Sequence, residues 1–333
     1  MKFKKQYVSI GLDIGTSAIK CIKLKCTKDK VEMQDFALEP VQSNLAEVLK
    51  NIRETKGLQG VNIGVSGPST VIRYISFPKM SEVELKRALK FEAQKHLPFA
   101  VEEINLDGYI LQEGLPDNKM LVLVAAVKKD LIAQRLKLIE EAGLKANIID
   151  IDSLALVNAF SFNYPEDQAF KNKVVALLNI GSGMTNLCIL ENAIPRLSRD
   201  IHIAGNNFTQ KVIDTMAIDF KSAEELKLNP DNEKLAQLTA AFEAVVNNLV
   251  GEIRISFDYY ESQSASSVAK IFLSGGGSRS VGLKEMLEKF LGIEVEHWDP
   301  LKQINIASGI DTQKIKTLFS QLAVAVGLAL RSI

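Results

Sequence analysis

The sequence predicts an α/β fold made of two related lobes, with a further block inserted into the first. Three observations lead there. A pattern repeats: GLDIGTSAIKCIKL begins at Gly11 and LLNIGSGMTNLCIL at Leu177, an offset of 166 residues that sets Asp13 on Asn179, Ile14 on Ile180, Gly15 on Gly181 and Leu24 on Leu190. Each copy reads as an apolar strand, a turn of Gly, Ser and Thr, and a second apolar strand, which is a hairpin pattern. The offset is close to half of the 333 residues, and the stretch between the copies alternates helices and strands of its own.

The elements follow in chain order. After the first hairpin, Ser81 precedes Glu84 at capping-box spacing, and the helix it opens should stop before Pro98, because a residue preceding proline avoids helical geometry. Strand-like runs follow at 104–111 and 120–127. A helix over 131–142 has Asp130 as its expected N-cap and Gly143 as its stop, and the chain returns to a strand at 148–151. The block 78–146 therefore reads as an insertion. After the second hairpin, helices are expected at 206–216, 233–248 and 250–262, with Pro230 as a break. A strand at 268–274 ends in Gly275-Gly276-Gly277; a helix at 283–291, a strand at 294–298 and a closing helix at 318–330 complete the chain. Ala155 with Ala159, and Ala323 with Gly327, put small residues four apart on two helices. Such spacing permits a close crossing where two halves would hinge, and ordinary core packing explains it as well.

Composition narrows the function. With 47% hydrophobic and 24% charged residues, about two cores can be buried. Lys plus Arg and Asp plus Glu both number 40, so no basic stripe for nucleic acid or anionic lipid stands out. Cys21, Cys26 and Cys188 form no ligand set, which fits a reducing compartment. The basic start 1–5 leads to Gly11 and Asp13 rather than an apolar signal core, and no apolar run approaches about 18 residues. The expected protein is cytoplasmic, with any membrane association made through a partner.

The chemistry concentrates at the turns. Asp13 ends an apolar strand directly before Gly15-Thr16-Ser17. Small residues let backbone N–H groups face an anion, and a neighbouring carboxylate can hold magnesium through water. Gly181, Ser182, Gly183 and Thr185 occupy the equivalent positions of the second copy, so two related turns could grip a polyphosphate from both sides. Alone, either would be read as a structural turn. A third cluster, Gly275-Gly276-Gly277-Ser278-Arg279, lies between a strand and a helix, where backbone can approach a nucleotide or simply turn. No GxxxxGK[ST] or GxGxxG pattern is present, and His96, His202 and His297 are scattered.

These residues resemble the actin, Hsp70 and hexokinase superfamily, and within it the PilM family and its cell-division relative FtsA. GLDIGTSAIK resembles the first phosphate motif, NIGSGMTNLCIL the second and LSGGGSRSVGL the adenosine motif, in matching order. LVLVAAVKKDLIAQRLKLIEEAGLKANIIDIDSLAL resembles the PilM inserted subdomain 1C running into the hinge helix. The resemblance implies an actin-like (ribonuclease H-like) duplicated bilobed fold, each lobe a five-stranded mixed sheet. It implies subdomain 1A at 1–77 with 147–170, 1C at 78–146, 2A at 171–200 with 263–333, and 2B at 201–262. ATP or ADP would lie in the cleft. Asp13 would coordinate Mg2+ through water, and Gly15, Thr16, Ser17, Lys20, Gly181, Ser182, Gly183, Met184 and Thr185 would hold phosphates. Gly275, Gly276, Gly277 and Arg279 would face adenosine, with Gly205, Asn206, Glu224 and Lys227 near the ribose and base.

One departure stands out. Asn179 replaces the acidic residue that opens the second phosphate motif in many relatives, and an amide is neither a base nor a charge for magnesium, so slow or absent hydrolysis is expected. The resemblance also implies a partner, the cytoplasmic tail of a PilN-like inner-membrane protein, held between 1A and 1C, with other pilus assembly proteins or self-association as further contacts. Two other readings stay open: an FtsA-like division protein, which would be expected to carry a membrane-targeting helix beyond position 333, and a small-molecule kinase on the same fold.

Overall fold

Each half of the chain builds one sheet by the same path. The computed structural model describes residues 6–41, 44–165 and 173–331; the basic start 1–5 and the expected boundary at 170–171 lie outside them. In the first half, β1 (Tyr7–Ile14), β2 (Ala18–Cys26) and β3 (Val31–Pro40) pair antiparallel in turn, while β4 (Gly60–Val65) and β8 (Lys145–Ile151) extend the sheet in parallel on the other side. In the second half, β9 (Val174–Ile180), β10 (Thr185–Glu191) and β11 (Ile194–Ile201) pair antiparallel, and β12 (Val268–Ser274) and β13 (Glu294–His297) add in parallel. The strand orders, β3-β2-β1-β4-β8 and β11-β10-β9-β12-β13, coincide. The repeat seen at Asp13 and Asn179 is thus a repeat of whole sheets. A two-residue strand β14 (Asn305–Ile306) adds to β3, making the first sheet six-stranded rather than five.

Two helices join the lobes. α4 (Asp152–Asn163) and α10 (Ala323–Leu330, AVAVGLAL) are apolar on nearly every face, and such helices are stable only when surrounded. They cross so closely that a β-carbon on Gly327 would stand 1.7 Å from the Ala155 carbonyl oxygen. Ala155, Ala159 and Ala323 are all fully buried. The small residues spaced four apart therefore mark a real crossing. Around it, one core takes Ile22 and Leu24 from the first sheet, Leu177 and Phe272 from the second, and the buried Trp298, whose ring stands 5.3 Å from that of Phe160.

The insertion forms its own sheet, β5 (Thr70–Pro78), β7 (Lys119–Lys128) and β6 (Ile104–Leu115), in the order β5-β7-β6. This sheet begins at Thr70, ahead of the position 78 read from sequence, because β5 pairs with β7 from Thr70 opposite Val127 to Pro78 opposite Lys119. α2 (Glu82–Ala93) starts at the expected capping box, with Ser81 N–H donating to Glu84 Oε2 at 2.8 Å. α3 (Lys129–Glu141) does not use Asp130 as its cap. β7 runs into it directly, so Lys128 is the N-cap and Asp130 sits in the first turn, where its charge faces the positive end of the helix dipole.

The remaining helices also differ from the sequence reading. α5 (Gly205–Met216) is followed by a helix not anticipated, α6 (Phe220–Leu228), capped by Asp219. The two helices expected at 233–248 and 250–262 are a single α7 (Asn232–Glu261), since the buried stripe from Leu238 to Tyr260 outweighs the roughly 1 kcal/mol cost of Gly251 inside it. α8 (Leu283–Leu291) is as expected. The closing helix is interrupted. α9 (Thr312–Leu318) gives way to a 3-10 turn (Phe319–Gln321) before α10, and the Ser320 carbonyl accepts from Gly275 N–H at 2.6 Å. Among the described residues, no helix is long and apolar enough to cross a membrane.

Candidate functional site

The two repeated turns close with the same bond. Gly15 N–H donates to the Ala18 carbonyl at 3.2 Å and Gly181 N–H to the Met184 carbonyl at 2.9 Å, again 166 positions apart. The turns meet: a β-carbon on Gly183 would lie 2.8 Å from Thr16 Oγ1. Thr16 and Ser17 are exposed, and Ser182, Gly183 and Met184 half-buried, so both turns keep a free side. Strand register sets Asp13 opposite Lys20, and their side chains pair at 3.1 Å with the Lys20 ammonium lying beside Gly15. A carboxylate and an ammonium therefore flank the first turn. Thr185 departs from expectation: its side chain is fully buried and its hydroxyl donates to the Ile203 carbonyl at 2.7 Å, so it shapes the start of β10 rather than facing an anion.

Glycines of three segments converge behind the second turn. Gly275 has φ +92°, and a β-carbon there would stand 2.2 Å from the Ile180 carbonyl oxygen; one on Gly277 would stand 2.6 Å from that of Gly181. Only glycine fits both demands at Gly275. The first N–H groups of α5 are not free for a phosphate: Gly205 donates to Gly181 O at 2.9 Å and Asn206 to Ser182 O at 2.7 Å. The Gly-Asn helix start thus braces the second turn, while the Asn206 side chain is exposed. Glu224 and Lys227 lie together on α6. Lys227 is 3% exposed, and its Nζ reaches Glu224 Oε1 at 2.5 Å and Thr209 Oγ1 at 2.8 Å; burial holds the ammonium below its usual pKa, and Glu224 opposes that shift. Gly276 is half-buried beside the Gln321 side chain, and Arg279 is exposed.

Two carboxylates escaped the sequence reading. Asp152, the first residue of α4, accepts from Ser66 Oγ at 2.6 Å. Burial, with the fields of Asp13 and Asp200 added, raises its pKa to about 7. Asp200, near the end of β11, accepts from Gly67 N–H and from Asn186 Nδ2, both at 2.7 Å, so it ties the second lobe to the turn ahead of β5. Asn179 heads the same chain of bonds: it donates to Asn186 Oδ1 at 3.0 Å and accepts from Ser274 Oγ at 3.2 Å. Its amide is used on both sides, as an amide in a polar network must be. The only sequence signal for Asp152 was an acidic residue in a first helical turn, which ordinarily reads as a dipole partner.

The family model of type IV pilus assembly protein PilM matches residues 11–333. The chain belongs to the PilM family. A solved PilM-PilN type IV pilus biogenesis complex is similar to this PilM-family chain over 97% of the chain and 98% of that structure, at 26% identity and a TM-score of 0.84. The ethanolamine utilization protein EutJ of Carboxydothermus hydrogenoformans covers 98% of the chain, and 90% of its own length is matched, at 15% identity and a TM-score of 0.53; that likeness concerns the fold alone. The chaperone protein dnaK of Cyanophora paradoxa is 28% identical over 138 residues, 39% of this chain. That of Cyanidium caldarium is 29% identical over 164 residues, 45% of this chain. The chain spans only 21% and 25% of the lengths of these two chaperones. The duplicated, two-lobed architecture is actin-like.

This PilM-family chain carries a second feature, a groove of about 460 Å³ between the inserted sheet and the first lobe. Leu106 and Tyr109 of β6, Ala125 of β7, Ile132 of α3 and Ile149 of β8 line it. Both β6 and β8 are the last strands of their sheets in the described residues, so the groove runs between two strand edges. Tyr109 is 67% exposed at its rim. Strand edges beside apolar pockets are what an extended peptide needs: backbone partners along its length and cavities for alternate side chains.

Proposed function

We propose that this PilM-family chain binds Mg2+ with ATP or ADP between its twin turns, and docks the cytoplasmic tail of a PilN-like inner-membrane protein in the groove between the inserted sheet and the first lobe. It would thus work in the cytoplasm at the inner membrane through its partner. The nucleotide reading rests on one observation, the meeting of Thr16 with Gly183. Asp13 would hold magnesium through water and Lys20 would balance phosphate charge, while the backbone N–H groups of 16–17 and 182–184, those of Gly15 and Gly181 being used to close the turns, would face the phosphates. Gly276 and Arg279 would border the adenosine, with Asn206 and the Glu224–Lys227 pair near the ribose. The nucleotide, when bound, would supply charge that draws both lobes together. Calorimetry of Mg2+ATP binding should show Asp13→Ala losing at least about tenfold in affinity, roughly 1.4 kcal/mol; equal affinities with and without the carboxylate would refute the site.

Hydrolysis is proposed to be slow. No carboxylate stands at 179, and the Asn179 amide is committed to Asn186 and Ser274. One candidate proton acceptor is Asp152, whose pKa burial raises to about 7, so that it is half-protonated near neutral pH. Turnover should stay below about one per second, rise between pH 6 and 8 as Asp152 ionises, and vanish in Asp152→Asn. Turnover in that variant equal to the native value would remove Asp152 from the reaction.

The partner reading rests on the groove and on the PilM-PilN complex to which the chain is similar over nearly its full length. Tail peptide binding should fail in Ala125→Arg, which fills the groove from its half-buried floor, and survive in Gly276→Glu at the glycine cluster. The reverse pattern would place the peptide elsewhere.

A further inference from the structure

The docking groove is lined mostly by apolar side chains, yet one carboxylate is closed into its wall. Of the charged groups that line it, Asp107 is exposed, whereas the Asp150 side chain is 5% exposed. Asp150 Oδ1 accepts from the Ile151 backbone N–H at 2.8 Å, and Oδ2 faces Arg331 Nε at 3.0 Å. A buried carboxylate needs a cation or a donor near it, and burial here pushes Asp150 toward its neutral form while Arg331 opposes that. The two partners are held unequally. Arg331 is anchored through its backbone, whose carbonyl accepts from Asn62 Nδ2 at 3.2 Å, but its side chain is 46% exposed at the edge of the groove. Arg331 can leave Asp150 without disturbing the chain that carries it; Asp150 cannot leave the groove.

From this charge complementarity we propose that Asp150 receives a Lys or Arg side chain of the docked segment, and that Arg331 is the internal stand-in it displaces. The inference rests on the groove being the docking site of the PilN-like tail. An extended segment running along β8 would pass Asp150 on that edge strand, and a basic residue there would take over the pairing. A neutral residue at the same place would have to leave Arg331 in position or bury the carboxylate unpaired. Were Asp150–Arg331 only a fixed brace between β8 and the end of α10, removing Arg331 would weaken the protein and bring no gain in binding.

The test uses the full chain and the tail peptide of its PilN-like partner, with each Lys and Arg replaced in turn by Gln, and affinities measured by fluorescence anisotropy. One replacement should weaken binding to the native chain about tenfold or more, and that penalty should shrink to about twofold in Asp150→Asn. Arg331→Gln should bind the unaltered peptide about tenfold more tightly, a gain that misfolding cannot produce, while its affinity for the neutralised peptide stays unchanged. If no replacement matters beyond about twofold, or the penalty persists in Asp150→Asn, the charge inference is wrong. In that event, loss of binding in Ala125→Arg keeps the groove as the docking site; unaltered binding in Ala125→Arg overturns the groove and this inference together.

Discussion

Gly327→Val is expected to leave little or no folded protein. A β-carbon at Gly327 would stand 1.7 Å from the Ala155 carbonyl oxygen and 2.4 Å from its carbon, and neither atom belongs to a side chain that can swing aside. Both helices are enclosed by the core shared between the sheets, so separating them would open contacts among Leu156, Ala325 and Val326. Overpacking in a core that can relax costs about 1–3 kcal/mol; here the clash is backbone against backbone, and a loss above about 4 kcal/mol is expected. Urea denaturation and soluble yield measure it. Gly251→Ala is the contrast, since a β-carbon there meets nothing within 4 Å, and a gain of about 0.5–1 kcal/mol should follow from helix propensity alone.

Asp152→Asn is expected to stabilise the protein in a pH-dependent way. The folded-state pKa of Asp152 is raised to about 7, mainly by burial, from the ordinary aspartate value of 3.8. Between those values the folded chain holds a proton that the unfolded chain releases, so the native protein loses stability as pH rises toward 7, and the loss is complete above it. Asparagine removes the charge and keeps an acceptor for Ser66. The variant should therefore exceed the native protein by as much as roughly 4 kcal/mol at pH 8 and nearly match it at pH 4. Urea midpoints at the two pH values decide the matter. A gain equal at both would mean that the carboxylate is not strained by its surroundings.

What could be read from sequence was what local chemistry determines. The twin hairpins were legible because strand, turn and strand are contiguous, and the turn bonds at Gly15 and Gly181 follow from residues three apart. The capping box at Ser81 was legible for the same reason. Elements that depend on distant partners were not. β5 belongs to the inserted sheet only because Thr70 meets Val127, and nothing near Thr70 says so. The break at 319–321 follows from a backbone bond between Ser320 and Gly275, far earlier in the chain. In the candidate site, Asp13, Lys20 and the glycines were named through their motifs, whereas Asp152 opens α4 inside the stretch compared with the hinge helix and Asp200 lies near the end of β11, and neither was singled out there. Thr185 was assigned by position in the repeat, yet its hydroxyl is consumed by Ile203.

The claim on which the account turns is that equivalent turns of two duplicated lobes share a single bound nucleotide. A crystal structure with magnesium and a non-hydrolysable ATP analogue tests it directly. The phosphates should be bounded by residues 15–17 on one side and 181–184 on the other, with Asp13 facing the metal's water. An analogue bound away from these turns, or turns held too far apart to contact the same phosphates, would contradict it.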